Sequence, residues 1–159
     1  QYTSSAASDV YKRQGVNGLI VVDLPWPENK DFAKKCKKKS IYFIQLISPT
    51  TTKQRLKKII RDSHPMNYFI SMLSTTGGKL KVSPNDILKN YTKIKKIDPK
   101  KEIVIGFGIT EKTIGKLKSA DGLVVGSAIC KEISRSLKHR QNPVTNVSKL
   151  VKKLKSKIL

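Results

Sequence analysis

Ile103-Val104-Ile105-Gly106-Phe107-Gly108-Ile109-Thr110 and Leu123-Val124-Val125-Gly126-Ser127-Ala128-Ile129 decide the fold of this chain. Each opens as a short apolar run, rich in β-branched residues and free of charge. The run does not alternate with polar residues, as expected of a strand covered on both faces. Each then breaks into glycine where a strand should end and a helix begin.

Working outward, three earlier runs have the same character: Leu19-Ile20-Val21-Val22, Ile41 to Ile47, and Tyr68 to Leu73. Polar segments with helical spacing separate them. Residues 28–39 follow the first run. Residues 52–62 set Leu56, Ile59 and Ile60 on one face. Residues 84–97 align Ile87, Leu88, Tyr91, Ile94 and Ile97 behind Ser83 as cap and Pro84 at the first helical position. Residues 110–119 turn Ile114 and Leu117 inward, residues 127–136 form a short helix, and residues 144–158 align Val147, Leu150, Val151, Leu154 and Ile158.

Strands alternating with amphipathic helices make an α/β fold, a parallel sheet with helices outside. Periodicity does not separate an open doubly wound sheet from a closed barrel. The glycine-ended strands favour a (β/α)8 TIM barrel, which takes about 250 residues. At 159 residues, the chain is then a partial barrel of about five β/α units, strands 4–8. Residues 1–14 are polar and aperiodic and read as a disordered or non-native leader, with the domain spanning residues 15–159.

In parallel α/β folds the ligand meets the C-terminal ends of the strands. One Gly-x-Gly can be a pair of turn glycines. Two glycine ends on consecutive strands, at Gly108 and Gly126, suit a phosphate, because amides approach an anion closely where no Cβ intervenes. A helix starting at Ser127 aims further free amides at the same place. The third run ends in Ser74-Thr75-Thr76-Gly77-Gly78-Lys79, either an ordinary connection or a lid whose Thr76 and Gly77 reach the ligand. The first run ends in Asp23-Leu24-Pro25-Trp26-Pro27. Asp23 is a carboxylate on the ligand rim or a loop hydrogen-bonding group, and Trp26 reads as rim packing or a subunit contact.

The charge points in a different direction. With 33 Lys and Arg against 11 Asp and Glu, the net charge is +22, which raises the alternative of a nucleic-acid-binding module. Most of these cations are lysines at helical spacing, as in Lys34-Lys35-Cys36-Lys37-Lys38-Lys39. The arginine forks and interleaved aromatics that read nucleic acid are scarce, so solvated helix faces are the reading adopted. Cys36, Cys130, His64 and His139 lack metal-ligand spacing; no metal is expected. Unpaired thiols and short apolar runs fit a cytoplasmic protein.

The stretches GVNGLIVVDLPWPEN, SPTTTKQRLKKI, YFISMLSTTGG, IVIGFGIT and GLVVGSAI resemble, in order and spacing, the second half of the tryptophan synthase alpha chain family. Isolated pieces also suit other phosphate-binding barrels of histidine, tryptophan or thiamin biosynthesis. The resemblance implies a lyase that cleaves indole-3-glycerol phosphate to indole and glyceraldehyde 3-phosphate by a retro-aldol reaction. It implies an alpha2-beta2 assembly with a beta chain that carries pyridoxal phosphate, the alpha chain itself using no cofactor. It places Gly77, Gly108, Gly126 and Ser127 at the phosphate, and Val22, Ile47, Tyr68 and Phe107 around the indole. Thr76 belongs to the closing loop and Asp23 to the end of the fourth barrel strand. The family's catalytic Glu and Asp fall before the matching region that starts at Gly15, so no residue here is assigned as catalytic and the chain alone is expected to be inactive.

Overall fold

The computed structural model describes residues 12–71, 74–75, 78–79, 83–106 and 108–159, with only the backbone at 74–75 and 78–79. Five parallel strand positions follow one another in chain order. They are β1 (Gly18–Leu19), β2 (Tyr42–Phe43) continued by β3 (Gln45–Ile47), β4 (Met66–Ile70), then β7 (Glu102–Gly106) and β8 (Gly122–Leu123). Between β4 and β7 an antiparallel hairpin, β5 (Ser74–Thr75) and β6 (Gly78–Lys79), stands apart.

The run from Ile41 to Ile47 is one barrel strand read as two ladders. Its first half pairs with β1 and its second half with β4. Ile44 N–H still donates to Leu19 O at 2.9 Å at the changeover. The first strand is shorter than its apolar run, because the chain turns at Val22–Asp23 and Leu24 N–H reaches back to Val21 O at 3.4 Å.

Among the described residues, helices pack outside the strands: α1 (Lys30–Lys38), α2 (Lys53–Asp62), α3 (Pro84–Lys95), α4 (Ser127–Lys138) and α5 (Pro143–Lys155). Local chemistry sets their starts. Thr52 accepts from Arg55 N–H at 3.4 Å, Ser83 from Asp86 N–H at 3.2 Å, and Asn142 from Val144 N–H at 2.9 Å. Pro84 and Pro143 follow their caps at positions that need no donor. The helix expected over 110–119 is instead a single 3-10 turn, Ile114–Leu117. Thr113 and the turn before it take up the start of that segment, yet Ile114 and Leu117 are still buried, since i and i+3 also align in a 3-10 turn.

The main core lies between the sheet and α2, α3 and α5. It contains Ile47, Leu56, Ile60, Phe69, Ile87, Ile94, Ile103, Ile105 and Leu154, and Cys36, Ile41 and Phe43 form a second cluster under α1. Residues paired across a parallel ladder share a face, so Ile47, Phe69, Ile105 and Leu123 form a single row toward the helices. Leu46, Tyr68, Val104 and Gly122 form the opposite row, facing the inside of the barrel. On that inner face Tyr42 and Val124 are exposed, as are Ile20 and Val22 by alternation from Leu19 and Val21, which pack under α1.

Residues 1–11 of the expected leader lie outside the described residues. Lys12 and Arg13, within its expected span, are helical, and Lys12 Nζ donates to Ser40 O at 3.2 Å.

Candidate functional site

The site is built where β7 and β8 end. Their register sets Val104 opposite Gly122 and Ile105 opposite Leu123. Val124 N–H donates to Ile105 O at 2.8 Å, which carries the ladder one residue further. Beyond this ladder, Gly108 lies two residues past the end of β7 and Gly126 three residues past the end of β8.

Gly108 has φ of 70°, a left-handed conformation that glycine adopts without penalty. The turn beyond it is tied by Thr113, whose hydroxyl accepts from Thr110 N–H at 2.9 Å and donates to Gly108 O at 3.4 Å. Gly126 is the N-cap of α4 and offers no side chain to the helix; its carbonyl accepts from Ile129 N–H at 2.9 Å and Cys130 N–H at 3.1 Å. The amides of Ser127 and Ala128 precede the first intrahelical bonds and point out of the helix end, where its dipole is positive. A Cβ placed on Gly126 would meet nothing within 4 Å, and its φ of −113° suits any residue. Nothing among the described residues demands glycine there, and the position is exposed. Gly108, Gly126 and Ser127 are all exposed.

Tyr68 crosses from β4 over Gly106, and burial pushes its phenol pKa up. The carbonyl of Gly106 is held from the end of the same strand. Ser71 N–H and Ser71 Oγ both donate to Gly106 O, at 3.0 and 2.7 Å. Ser71 was not singled out in the sequence, and a lone serine past a strand carries no signal there.

The remaining expected residues are distributed as follows. Val22 lies on the inner face, 71% exposed. Asp23 is exposed, and its carboxylate has no hydrogen bond or ion pair among the described residues. Ile47 is not part of this face: it is 1% exposed and packs with the helix-side core. Leu46, its neighbour, takes the inner position between the strands of Val22 and Tyr68. Thr76, Gly77 and Phe107 lie outside the described residues. Trp26 is tied to α2: its indole N–H donates to Asp62 at 3.2 Å, Lys30 Nζ sits 5.0 Å from the ring centroid, and Arg55 donates to its carbonyl. Among the described residues no helix is long and apolar enough to cross a membrane.

The family model for the tryptophan synthase alpha chain matches residues 2–159. The chain belongs to the tryptophan synthase alpha chain family. A tryptophan synthase alpha chain from Pelagibacter ubique is 70% identical over 99% of this chain, and one from Aquifex aeolicus is 34% identical over 91%. The chain spans 60% and 53% of those two relatives, a little over half their length. A crystal structure of the alpha chain from Legionella pneumophila superposes with a TM-score of 0.84 at 26% identity, covering 99% of this chain and 58% of that one. A tryptophan synthase structure from Mycobacterium tuberculosis, 19% identical, shares the fold with a TM-score of 0.79 over 99% of this chain and 57% of that one. The five parallel strands are thus a portion of the TIM barrel that tryptophan synthase alpha chains form.

Proposed function

We propose that this chain supplies the phosphate- and indole-binding half of an alpha-chain active site that cleaves indole-3-glycerol phosphate. The observation that carries the reading is the exposed N-terminus of α4 at Gly126 and Ser127, without a side-chain cap, just past the end of β8 and beside the strand that leads to Gly108. The free amides at the start of α4 suit the charge that a phosphate monoester carries at neutral pH. The inner face descending from it is apolar, with Val22, Leu46 and Tyr68, and fits an indole ring. Gly77, Thr76 and Phe107 belong to the same proposed site through the family resemblance.

In the cleavage, the indole C3 gains a proton, the glyceryl hydroxyl loses one, and the bond between C3 and the glyceryl carbon breaks. Indole and glyceraldehyde 3-phosphate leave. Two placed acid/base groups are required, and the resemblance puts both in the family's preceding half, ahead of the matched residues 2–159. The role of this chain's own residues is to hold the phosphate and the ring so that the breaking bond faces those groups. The beta chain, bearing its own pyridoxal phosphate, is the proposed partner in an alpha2-beta2 assembly, and the cytoplasm the proposed location. No cofactor is assigned to this chain.

Titrating the 159-residue chain with glyceraldehyde 3-phosphate while following backbone amide resonances tests the reading. Saturable shifts at Gly108 and Ser127 are expected. A titration that leaves both unmoved overturns it.

A further inference from the structure

We infer that Ser71 is a positioning residue for the anion loop, holding Gly106 so that Gly108 presents its amide to the phosphate. Tyr68 sets the first constraint. Its ring occupies the space above Gly106, so no side chain fits there: a Cβ would lie 1.7 Å from the phenol oxygen. Glycine is therefore imposed at the last residue of β7, two positions before Gly108. Glycine is also the residue whose backbone is least restricted.

Ser71 removes that freedom. A parallel ladder supplies one hydrogen bond to the Gly106 carbonyl, and Ser71 N–H provides it at 3.0 Å. The hydroxyl adds a second at 2.7 Å. Ser71 is 0% exposed, so no water competes for the carbonyl and the pair fixes the peptide plane that leaves β7. From the far side Thr113 closes on Gly108 O. Gly108 thus lies between the Ser71 anchor before it and, after it, the buried Ile109 and the Thr113 contact.

The proposal rests on Gly108 receiving the phosphate, and its test separates the two. Inorganic phosphate is titrated into the 159-residue chain and into Ser71→Ala and Ser71→Thr, following the Gly108 and Ser127 amides. Hydrogen exchange at Gly108 is measured without phosphate. Ser71→Ala is expected to bind phosphate about 5- to 10-fold more weakly, the worth of one buried hydrogen bond, and to exchange faster at Gly108. Ser71→Thr, which keeps the hydroxyl, restores both. A lower melting temperature in Ser71→Ala with affinity and Gly108 exchange unchanged overturns the assignment. Failure of the unsubstituted chain to bind phosphate overturns the site reading instead. In that event, faster exchange at Gly108 in Ser71→Ala upholds the anchor and unchanged exchange removes it.

Discussion

Tyr68 and Gly106 occupy one space: a Cβ on Gly106 would stand 1.7 Å from the Tyr68 hydroxyl oxygen and 2.2 Å from Cζ. The glycine is dictated by a neighbouring strand, not by its backbone. Gly106→Ala should destabilise the chain by on the order of 1–3 kcal/mol, the usual cost of overpacking. Combining it with Tyr68→Ala should recover more than half of that loss. Urea unfolding of the two single variants and the double variant checks this, and strictly additive losses would show that the two residues do not share the space.

Gly126 should behave in the opposite way. A methyl there enters open space on an ordinary backbone. Gly126→Ala is expected to change stability by less than about 0.5 kcal/mol, as for a neutral surface change. It should nevertheless weaken phosphate binding about 10-fold, because the methyl stands where the anion approaches the amides. Gly108→Ala should cost about 1 kcal/mol in addition, since its φ of 70° suits glycine. Melting curves and phosphate titrations, read side by side, separate the three glycines by the reason each is there.

The strands and their order were legible because uncharged, β-branched runs ending in glycine have few other uses. Which residues face inward was not. From Ile41 to Ile47 both alternating sets are largely apolar: Ile41, Phe43 and Ile47 toward the helices, Tyr42, Ile44 and Leu46 toward the barrel interior. Gln45, the polar residue of the run, lies on the helix side, buried by its hydrogen bond from Asn29 at 2.5 Å. A strand covered on both faces has no polar phase to read, so Ile47 was expected in place of Leu46. Ser71 escaped for a different reason: its meaning lies in a carbonyl 35 residues away.

His64 gives the fold a pH dependence on the acid side. Its Nδ1 accepts from Met66 N–H at 3.2 Å, which requires the neutral ring. Burial, then the Lys101 charge, lowers its pKa, with Glu102 opposing. The unfolded chain therefore takes up the proton first, and stability should fall as pH drops below the ordinary histidine value of about 6.5. His64→Gln should flatten that fall between about pH 7 and 5. Denaturation midpoints at several pH values measure it; an unchanged slope would assign the dependence to other groups.

Asp121 acts at lower pH. Burial pulls its pKa up, but Ile103 N–H at 2.8 Å, Lys95 at 3.0 Å and Tyr91 outweigh it, and the net shift is downward. Its contribution is then present above the unfolded carboxylate value and lost as pH falls through the folded one. The same pocket pushes the Tyr91 phenol up to about 12, through burial and then the Asp121 charge. Asp121→Asn should cost about 1 kcal/mol at neutral pH, discounted for the partial exposure of the pair. It should also weaken the loss of stability on acidification below about pH 4, where an unperturbed aspartate titrates.

The inner face makes the last prediction. Among the described residues β1 and β8 each pair on one side only, and the face between them leaves Ile20 at 45%, Val22 at 71%, Tyr42 at 51% and Val124 at 40% exposed. Closed barrels bury such residues against one another and pair every strand edge. The net charge of +22 opposes association, but its reach is cut to about 8 Å at physiological salt, while apolar contact is unaffected. The 159-residue chain should therefore bind a hydrophobic dye and self-associate more as salt rises. Light scattering from about 0.05 to 0.5 M salt, a range over which screening steepens, checks this. A monodisperse monomer across that range, melting cooperatively and leaving the dye dark, would mean that the inner face is covered by the chain itself.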